Sequence, residues 1–122
     1  MYKVLWLLKR RPDVTFEQFR DHYETTHSAL GKTYLGHLMV GYRRNYDLAC
    51  AAGGTAGLPG MLPSGYDCVA EWDMRDEAAF HEAMRVLADP EIGRIFRDDE
   101  DNFLDSTATK LVVCDSRDTG TA

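Results

Sequence analysis

The sequence has few basic residues and no long hydrophobic run. Its 122 residues include 14 Lys plus Arg against 20 Asp plus Glu, which gives a formal net charge of -6. An acidic chain repels phosphate backbones and anionic headgroups, so we expect neither a nucleic-acid partner nor a membrane partner. The longest apolar run near the N-terminus, residues 4–8, is too short for a membrane span or a secretory leader.

Cysteine is also scarce. Cys50, Cys68 and Cys114 are odd in number and show no CxxC spacing, which favours reduced thiols and a cytoplasmic location. Hydrophobic residues make up 44% of the chain and charged residues 28%. This ordinary balance excludes a wholly disordered chain, and the length indicates one domain.

Alternating and helical apolar patterns follow one another along the chain. The alternating patterns predict strands at residues 2–8, 37–46, 66–74 and 107–114. The helical patterns predict helices at residues 15–27, 29–35, 76–87 and a short one from 90. Thr15 with Gln18 has the spacing of a capping box, whereas Asp76 and Asp89 are predicted N-caps. Residues 47–65, rich in Gly and Pro, are predicted to form a flexible loop, either a binding segment or a surface insertion. Residues 115–122 are predicted to be a disordered tail.

The order of these elements predicts an α+β fold of the ferredoxin-like βαββαβ type, a four-stranded antiparallel sheet with helices on one face. The opposite face is predicted to carry Leu5, Leu7, Val69 and Val112. Exposed apolar surface of this extent usually marks an interface, and a second copy of the same sheet is the simplest cover. We therefore expect a homodimer.

Three segments resemble one protein family. VLWLLKRRPDVTFEQFRDHYETTHSAL near the N-terminus, and later YDCVAEWDM and DPEIGRIFRDDEDNFLD, are similar to the EthD family. The resemblance implies a single EthD-like domain over residues 1–114 and a dimeric α/β barrel. Relatives on this fold include cofactor-free polyketide cyclases, muconolactone isomerases, decarboxylases and small monooxygenases. Fold alone does not select among these reactions.

His27 is the strongest candidate for chemistry. It falls on the apolar stripe of Phe16, Phe19 and Tyr23, and it matches the helix-end histidine of the family. A partly desolvated imidazole has a pKa suited to a general base near neutrality. The alternative is a structural histidine at a helix C-terminus, which the helix dipole favours.

Other side chains are predicted to complete the site. Tyr42 and Asp73 are candidate catalytic partners of His27. Candidate substrate-binding residues are Phe19, Tyr23, Glu71 and Trp72. Either tyrosine can instead be plain core, and Glu71 with Asp73, two apart on one strand, can instead form a solvated edge.

The remaining polar residues predict no metal or cofactor. His22, His37 and His81 show no ligand spacing, and on an α-helix His22 and His27 would diverge by about 140°. The acidic run 98–101 is interpreted as a solvated turn without a chemical role. No phosphate loop, dinucleotide fingerprint or nucleophile elbow is present.

The expected function is therefore a cofactor-independent lyase, cyclase or isomerase acting on a small aromatic or apolar oxygenated metabolite. Two alternatives remain open at this point. One is a cofactor-free monooxygenase of a phenol, and the other is a non-catalytic metabolite-binding or accessory protein.

Overall fold

The computed structural model describes residues 2–51 and 64–121, and in them four strands form one antiparallel sheet. The strands are β1 (Tyr2–Leu8), β2 (Met39–Tyr46), β3 (Cys68–Met74) and β4 (Lys110–Asp115). Their order across the sheet is β2-β3-β1-β4, and every neighbouring pair is antiparallel. This order and the helices between the strands confirm the predicted ferredoxin-like fold.

The helices pack on one face of that sheet. They are α1 (Phe16–His22), a π-helical segment (Tyr23–His27), α2 (Ser28–Leu35), α3 (Leu48–Ala51), α4 (Glu77–Ala88) and α5 (Pro90–Glu100). Short 3-10 turns stand at Gly36–Leu38 and Ser106–Ala108. Val4, Trp72 and Met74 of the sheet are buried against Leu35, Phe80, Ala83 and Phe96 of the helical layer. None of the helices in the described ranges is long and apolar enough to cross a bilayer.

The first helical stretch runs from Phe16 to Leu35 without interruption. It begins with the predicted capping box, in which Thr15 Oγ1 accepts from the Gln18 amide and Gln18 Oε1 accepts from the Thr15 amide. The helices predicted at residues 15–27 and 29–35 are joined without a break, because His22, Tyr23, His27 and Ser28 all have right-handed helical angles. A π-helical segment lies at the junction and accommodates an extra residue in the turn.

Helices α4 and α5 begin at the two predicted N-caps. Asp76 accepts from the Ala79 amide, and Asp89 accepts from the amides of Glu91 and Ile92 with Pro90 in the first turn. Helix α5 continues through Glu100, so the acidic run is its last turn and not the solvated turn expected from sequence. Gly93 permits the close approach of α4 and α5, since a Cβ there would lie 2.6 Å from the Leu87 carbonyl oxygen.

The predicted loop 47–65 lies only partly within the described residues. Its first part forms the short helix α3, and residues 52–63 lie outside the described residues. Strand β4 begins at Lys110, later than predicted, because the 3-10 turn Ser106–Ala108 precedes it. Beyond Asp115, residues 116–121 form no helix or strand.

Candidate functional site

A cavity of about 210 Å³ lies between the sheet and the helical layer. Aromatic side chains form much of its wall: Trp6, Tyr23, Tyr42, Trp72 and Phe96. The polar side chains along it are His27, Glu100, Ser106 and Thr109. A mostly apolar pocket with a few polar groups is the usual form of a small-molecule site.

His27 is held in this cavity by aromatic rings. It is the last residue of the π-helical segment, and it is only 8% exposed. The rings of Tyr23, Phe96 and Phe103 lie 5.3, 5.8 and 5.0 Å from the imidazole, measured between ring centroids. Burial lowers the pKa of His27 below its ordinary value, although the hydrogen bond and the charge of Asp99 act in the opposite direction. The imidazole is therefore neutral at pH 7.

Asp99 fixes the orientation of that imidazole. His27 Nδ1 lies 2.8 Å from Asp99 Oδ2, and His22 Nε2 lies 2.9 Å from Asp99 Oδ1. The carboxylate is 9% exposed and stands between two rings that can each donate an N–H. A carboxylate only accepts hydrogen bonds, so a neutral His27 carries its proton on Nδ1 and has a free electron pair on Nε2.

The π-helical segment explains why His22 and His27 meet the same carboxylate. Positions five apart diverge on an α-helix, but an i→i+5 turn brings them towards one face. The Ser28 amide bonds the Tyr23 carbonyl in this segment, which is the i→i+5 pattern. The divergence of about 140° expected from sequence therefore does not apply here. π-Segments occur frequently at functional sites.

Tyr23 and Tyr42 form a pair of hydroxyl groups on the cavity wall. Their phenol oxygens are 2.9 Å apart. Burial raises the pKa of Tyr23 well above its ordinary value and that of Tyr42 to about 12, so both are protonated at neutral pH. One hydroxyl hydrogen is used between them, and the other is free for an oxygen of a ligand. Gly31 makes room for this pair, since a Cβ there would lie 3.0 Å from Tyr42 Cε2.

Glu100 is a second ionisable group on the cavity wall. Burial is the main reason that its pKa rises to about 7, and the negative charges of Asp101 and Asp99 add to this effect. The carboxyl can therefore gain or lose a proton near neutral pH.

The structure brings together four of the predicted site residues and separates the other three. His27, Tyr23, Tyr42 and Trp72 all line the cavity. Phe19 is fully buried behind it, packed on Phe103 and Tyr23.

Glu71 and Asp73 lie on the opposite face of the sheet. Strand alternation turns Ala70, Trp72 and Met74 towards the helices and the two acids away from them. Lys3 Nζ contacts Glu71 at 3.0 Å and Asp73 at 3.5 Å, and Arg43 also pairs with Asp73. The predicted role of these acids beside His27 is therefore corrected, because Asp99 takes that place.

Sequence reasoning missed Asp99, Glu100, Trp6 and the role of His22. The signal for the two acids was present, because Ile92 and Phe96 are apolar and four residues apart in the helix predicted from residue 90. Steps of three and four residues from Phe96 along a helix reach Asp99 and Glu100. The acidic run was predicted to be a turn, so the inward-facing positions of this helix were not extended to residues 99 and 100.

The described side chains do not form a metal site of three or more His, Cys, Asp or Glu residues. The two indole nitrogens, Trp6 Nε1 and Trp72 Nε1, are buried and find no hydrogen-bond partner among the described residues. Their rings pack on each other with centroids 5.1 Å apart.

Comparison with known proteins gives one family match. The family model described as the EthD domain matches residues 11–107. No curated protein matches the chain significantly in sequence.

Solved structures of low sequence identity share the fold. An ethyl tert-butyl ether D (EthD) family protein from Bacillus halodurans is 20% identical with a TM-score of 0.63, over 96% of this chain and 100% of its own. The protein At3g17210 of Arabidopsis thaliana is 15% identical with a TM-score of 0.62, over 99% and 100%. HapK from Hahella chejuensis is 12% identical with a TM-score of 0.56, over 100% and 98%. At these identities the likeness shows the fold alone.

Proposed function

Since this chain belongs to the EthD family, we propose that it is a cofactor-independent enzyme of the lyase, cyclase or isomerase type. Its substrate is a small aromatic or apolar oxygenated molecule, and His27 is the general base. The observation that carries the proposal is the buried, neutral imidazole whose Nδ1 is bonded to Asp99 while its ring lines an aromatic cavity.

The first step is removal of a proton next to a carbonyl group or from a phenol. His27 Nε2 accepts the proton, and the imidazolium that forms is stabilised by the negative charge of Asp99. The hydroxyl of the Tyr23 and Tyr42 pair whose hydrogen is not used between them donates it to the oxygen on which negative charge develops. The aromatic wall, with Trp72, holds a flat ligand and excludes water from the reacting atoms.

Two tryptophans make binding to this cavity directly measurable. The chain contains only two tryptophans, Trp6 and Trp72, and both line the cavity. Their fluorescence therefore reports on cavity occupancy. As a probe we choose 2-tetralone, a bicyclic aromatic ketone whose acidic C–H lies next to the carbonyl.

Deuterium exchange into 2-tetralone, followed by proton NMR in D₂O at pH 7, tests the proposal without the natural substrate. We expect exchange above the buffer rate with the wild type, and a loss of about 10²–10⁴-fold in His27→Gln. His81→Gln is the matched control, because His81 is exposed on α4, where it contacts Glu77 and the ring of Phe80 and does not line the cavity. Binding without faster exchange, or exchange that His27→Gln leaves within threefold, would contradict the proposal and favour a binding protein.

A homodimer is part of the same proposal. The sheet face opposite the helices carries Leu5, Leu7 and Val69, all partly exposed, and Val112, 42% exposed. A second copy of this face would bury them. Native mass spectrometry should give twice 13.8 kDa. Val112→Lys should shift the mass towards the monomer, whereas Leu48→Lys, on α3, should not. A monomeric wild type would contradict the dimer.

The cytoplasmic location also stays a prediction. It is supported by Cys50, Cys68 and Cys114, which are all free thiols in the described structure. Fractionation of the producing cells would test it.

A further inference from the structure

The cavity contains an acidic side chain to which the proposed reaction has given no role. Glu100 is the last residue of α5, and its side chain lines the same cavity as His27. Among residues 2–51 and 64–121 no cation pairs with this carboxyl group and no donor hydrogen-bonds it. Glu100 is partly buried, and partial loss of solvent without a cation partner favours the uncharged form of a carboxyl group. Its place on the cavity wall therefore points to a role in the cavity.

The surroundings of Glu100 favour its protonated form near neutral pH. Burial, together with repulsion from Asp101 and Asp99, raises the pKa of Glu100 to about 7, although the positive charge of Arg97 acts in the opposite direction. Across the cavity stand the neutral His27 and the protonated phenols of Tyr23 and Tyr42, which bring no positive charge at pH 7.

The pKa values of His27 and Glu100 are thus shifted in opposite directions within one cavity. Burial lowers the pKa of the histidine and raises that of the carboxyl group. Near neutral pH one group can accept a proton and the other can release one. Two titratable groups whose pKa values are shifted apart in this way are typical of an acid and base pair.

We propose that Glu100 is the proton donor of the site, acting on the oxygen of the ligand while His27 removes the proton from carbon. The inference rests on the proposed function and completes its proton balance. The C–H bond breaks, its proton goes to His27 Nε2, and its electron pair forms the new C=C bond. The carbonyl π electrons move to oxygen, which takes the proton from Glu100. The products are an enol, an imidazolium and a carboxylate, and the reverse transfers restore both side chains.

The tyrosine pair is a weaker source of this proton. The pKa of Tyr42 is about 12 and that of Tyr23 is also raised, so neither phenol releases its hydrogen readily. A donor whose pKa lies near the working pH transfers its proton more efficiently. The phenols therefore serve as hydrogen-bond donors, and the carboxyl group supplies the proton.

Four proteins test the proposal: wild type, Glu100→Gln, Glu100→Leu and Asp98→Asn. Asp98 is the matched control, because it belongs to the same acidic turn but is exposed and does not line the cavity. Two properties are measured from pH 5.5 to 8.5. The first is 2-tetralone affinity by tryptophan fluorescence, and the second is its deuterium exchange rate.

The wild type and Asp98→Asn should bind 2-tetralone more weakly, by about tenfold, and exchange it more slowly as the pH rises through 7. In Glu100→Gln the amide still donates a hydrogen bond but cannot release a proton. Its affinity should therefore be independent of pH, while its exchange at pH 6 falls by about 10²-fold or more. Glu100→Leu should lose both affinity and exchange. Equal exchange and equal pH profiles in the wild type and Glu100→Gln would overturn the proposal.

Carbon-13 NMR of glutamate-labelled protein tests the donor without any ligand. One side-chain carboxyl should titrate near pH 7 and be missing in Glu100→Gln. If every glutamate titrates below about pH 5, Glu100 is not the donor, even if His27-dependent exchange is observed. If the titration and pH-dependent binding are present but the wild type gives no exchange, the proposed function fails and Glu100 remains a ligand-protonating group.

Discussion

Replacing Asp99 by Asn tests how the carboxylate controls His27. Asp99 bonds His27 Nδ1 at 2.8 Å and His22 Nε2 at 2.9 Å from its two oxygens. The substitution keeps the shape of the side chain but removes its charge and turns one acceptor into a donor. Its effect therefore separates the electrostatic role of Asp99 from its packing role.

The size of the effect depends on which way the amide turns. If its oxygen still accepts from His27, only the charge is lost. Hydrogen bonds to charged groups contribute about 1–2 kcal/mol more than neutral ones, so the imidazolium loses that stabilisation and the exchange rate falls about 5–30-fold. If the NH₂ group faces His27, the proton moves from Nδ1 to Nε2 and the base loses its electron pair. The loss then reaches about 10²–10⁴-fold.

The assay is deuterium exchange of 2-tetralone at pH 7, with thermal unfolding to show that each variant is folded. Asp98→Asn, which removes one exposed charge from the same helical turn, should stay close to the wild type. His22→Gln should lose only a few-fold in rate, because its amide can still donate to Asp99. An Asp99→Asn protein that folds and exchanges within threefold of the wild type would contradict the electrostatic role of Asp99.

Three further predictions concern stability and cavity shape. The folded-state pKa of Glu100, about 7, exceeds its unfolded value of 4.5; its contribution to stability is therefore present below pH 4.5 and is lost as the pH rises through 7. Between pH 4.5 and pH 8, urea unfolding should show that the free energy of unfolding falls by about 1–2 kcal/mol more in the wild type than in Glu100→Gln. This value is reduced to allow for the partial solvent exposure of Glu100. Equal losses in the two proteins would contradict the raised pKa. Gly31→Ala should displace the Tyr42 ring and weaken 2-tetralone binding about tenfold by tryptophan fluorescence, and unchanged affinity would show that the ring yields freely. Thr15→Ala should lower the free energy of unfolding by about 1 kcal/mol through loss of the capping box, and no change in the urea midpoint would count against that role.

Much of the fold could be predicted because local patterns and tertiary packing agree. Thr15, Asp76 and Asp89 cap helices where their spacing indicates, and the alternation in β3 matches the two faces of the sheet. These features depend on neighbours within a few residues. They are therefore visible in the sequence.

The site was harder to predict because it depends on two features that local patterns do not reveal. The π-helical segment changes which residues share a face, and it brings His22 towards His27 although their spacing suggests divergence. Helix α5 extends through the acidic run, and Asp99 lies on its buried side, although an acidic run usually indicates a solvated surface. Asp73 shows the converse: it shares a strand face with Val69, which was predicted to lie opposite the helices, so strand alternation alone places it away from His27.

The proposed base of the cavity, His27, can be tested most directly through its protonation state. Nitrogen-15 NMR of histidine-labelled protein, assigned with His27→Gln, reports for each imidazole whether Nδ1 or Nε2 carries the proton. We expect His27 to be neutral at pH 7, with hydrogen on Nδ1 and none on Nε2, and to titrate below its ordinary pKa of 6.5. A His27 that is charged at pH 7, or that carries its proton on Nε2, would contradict its role as the base of this cavity.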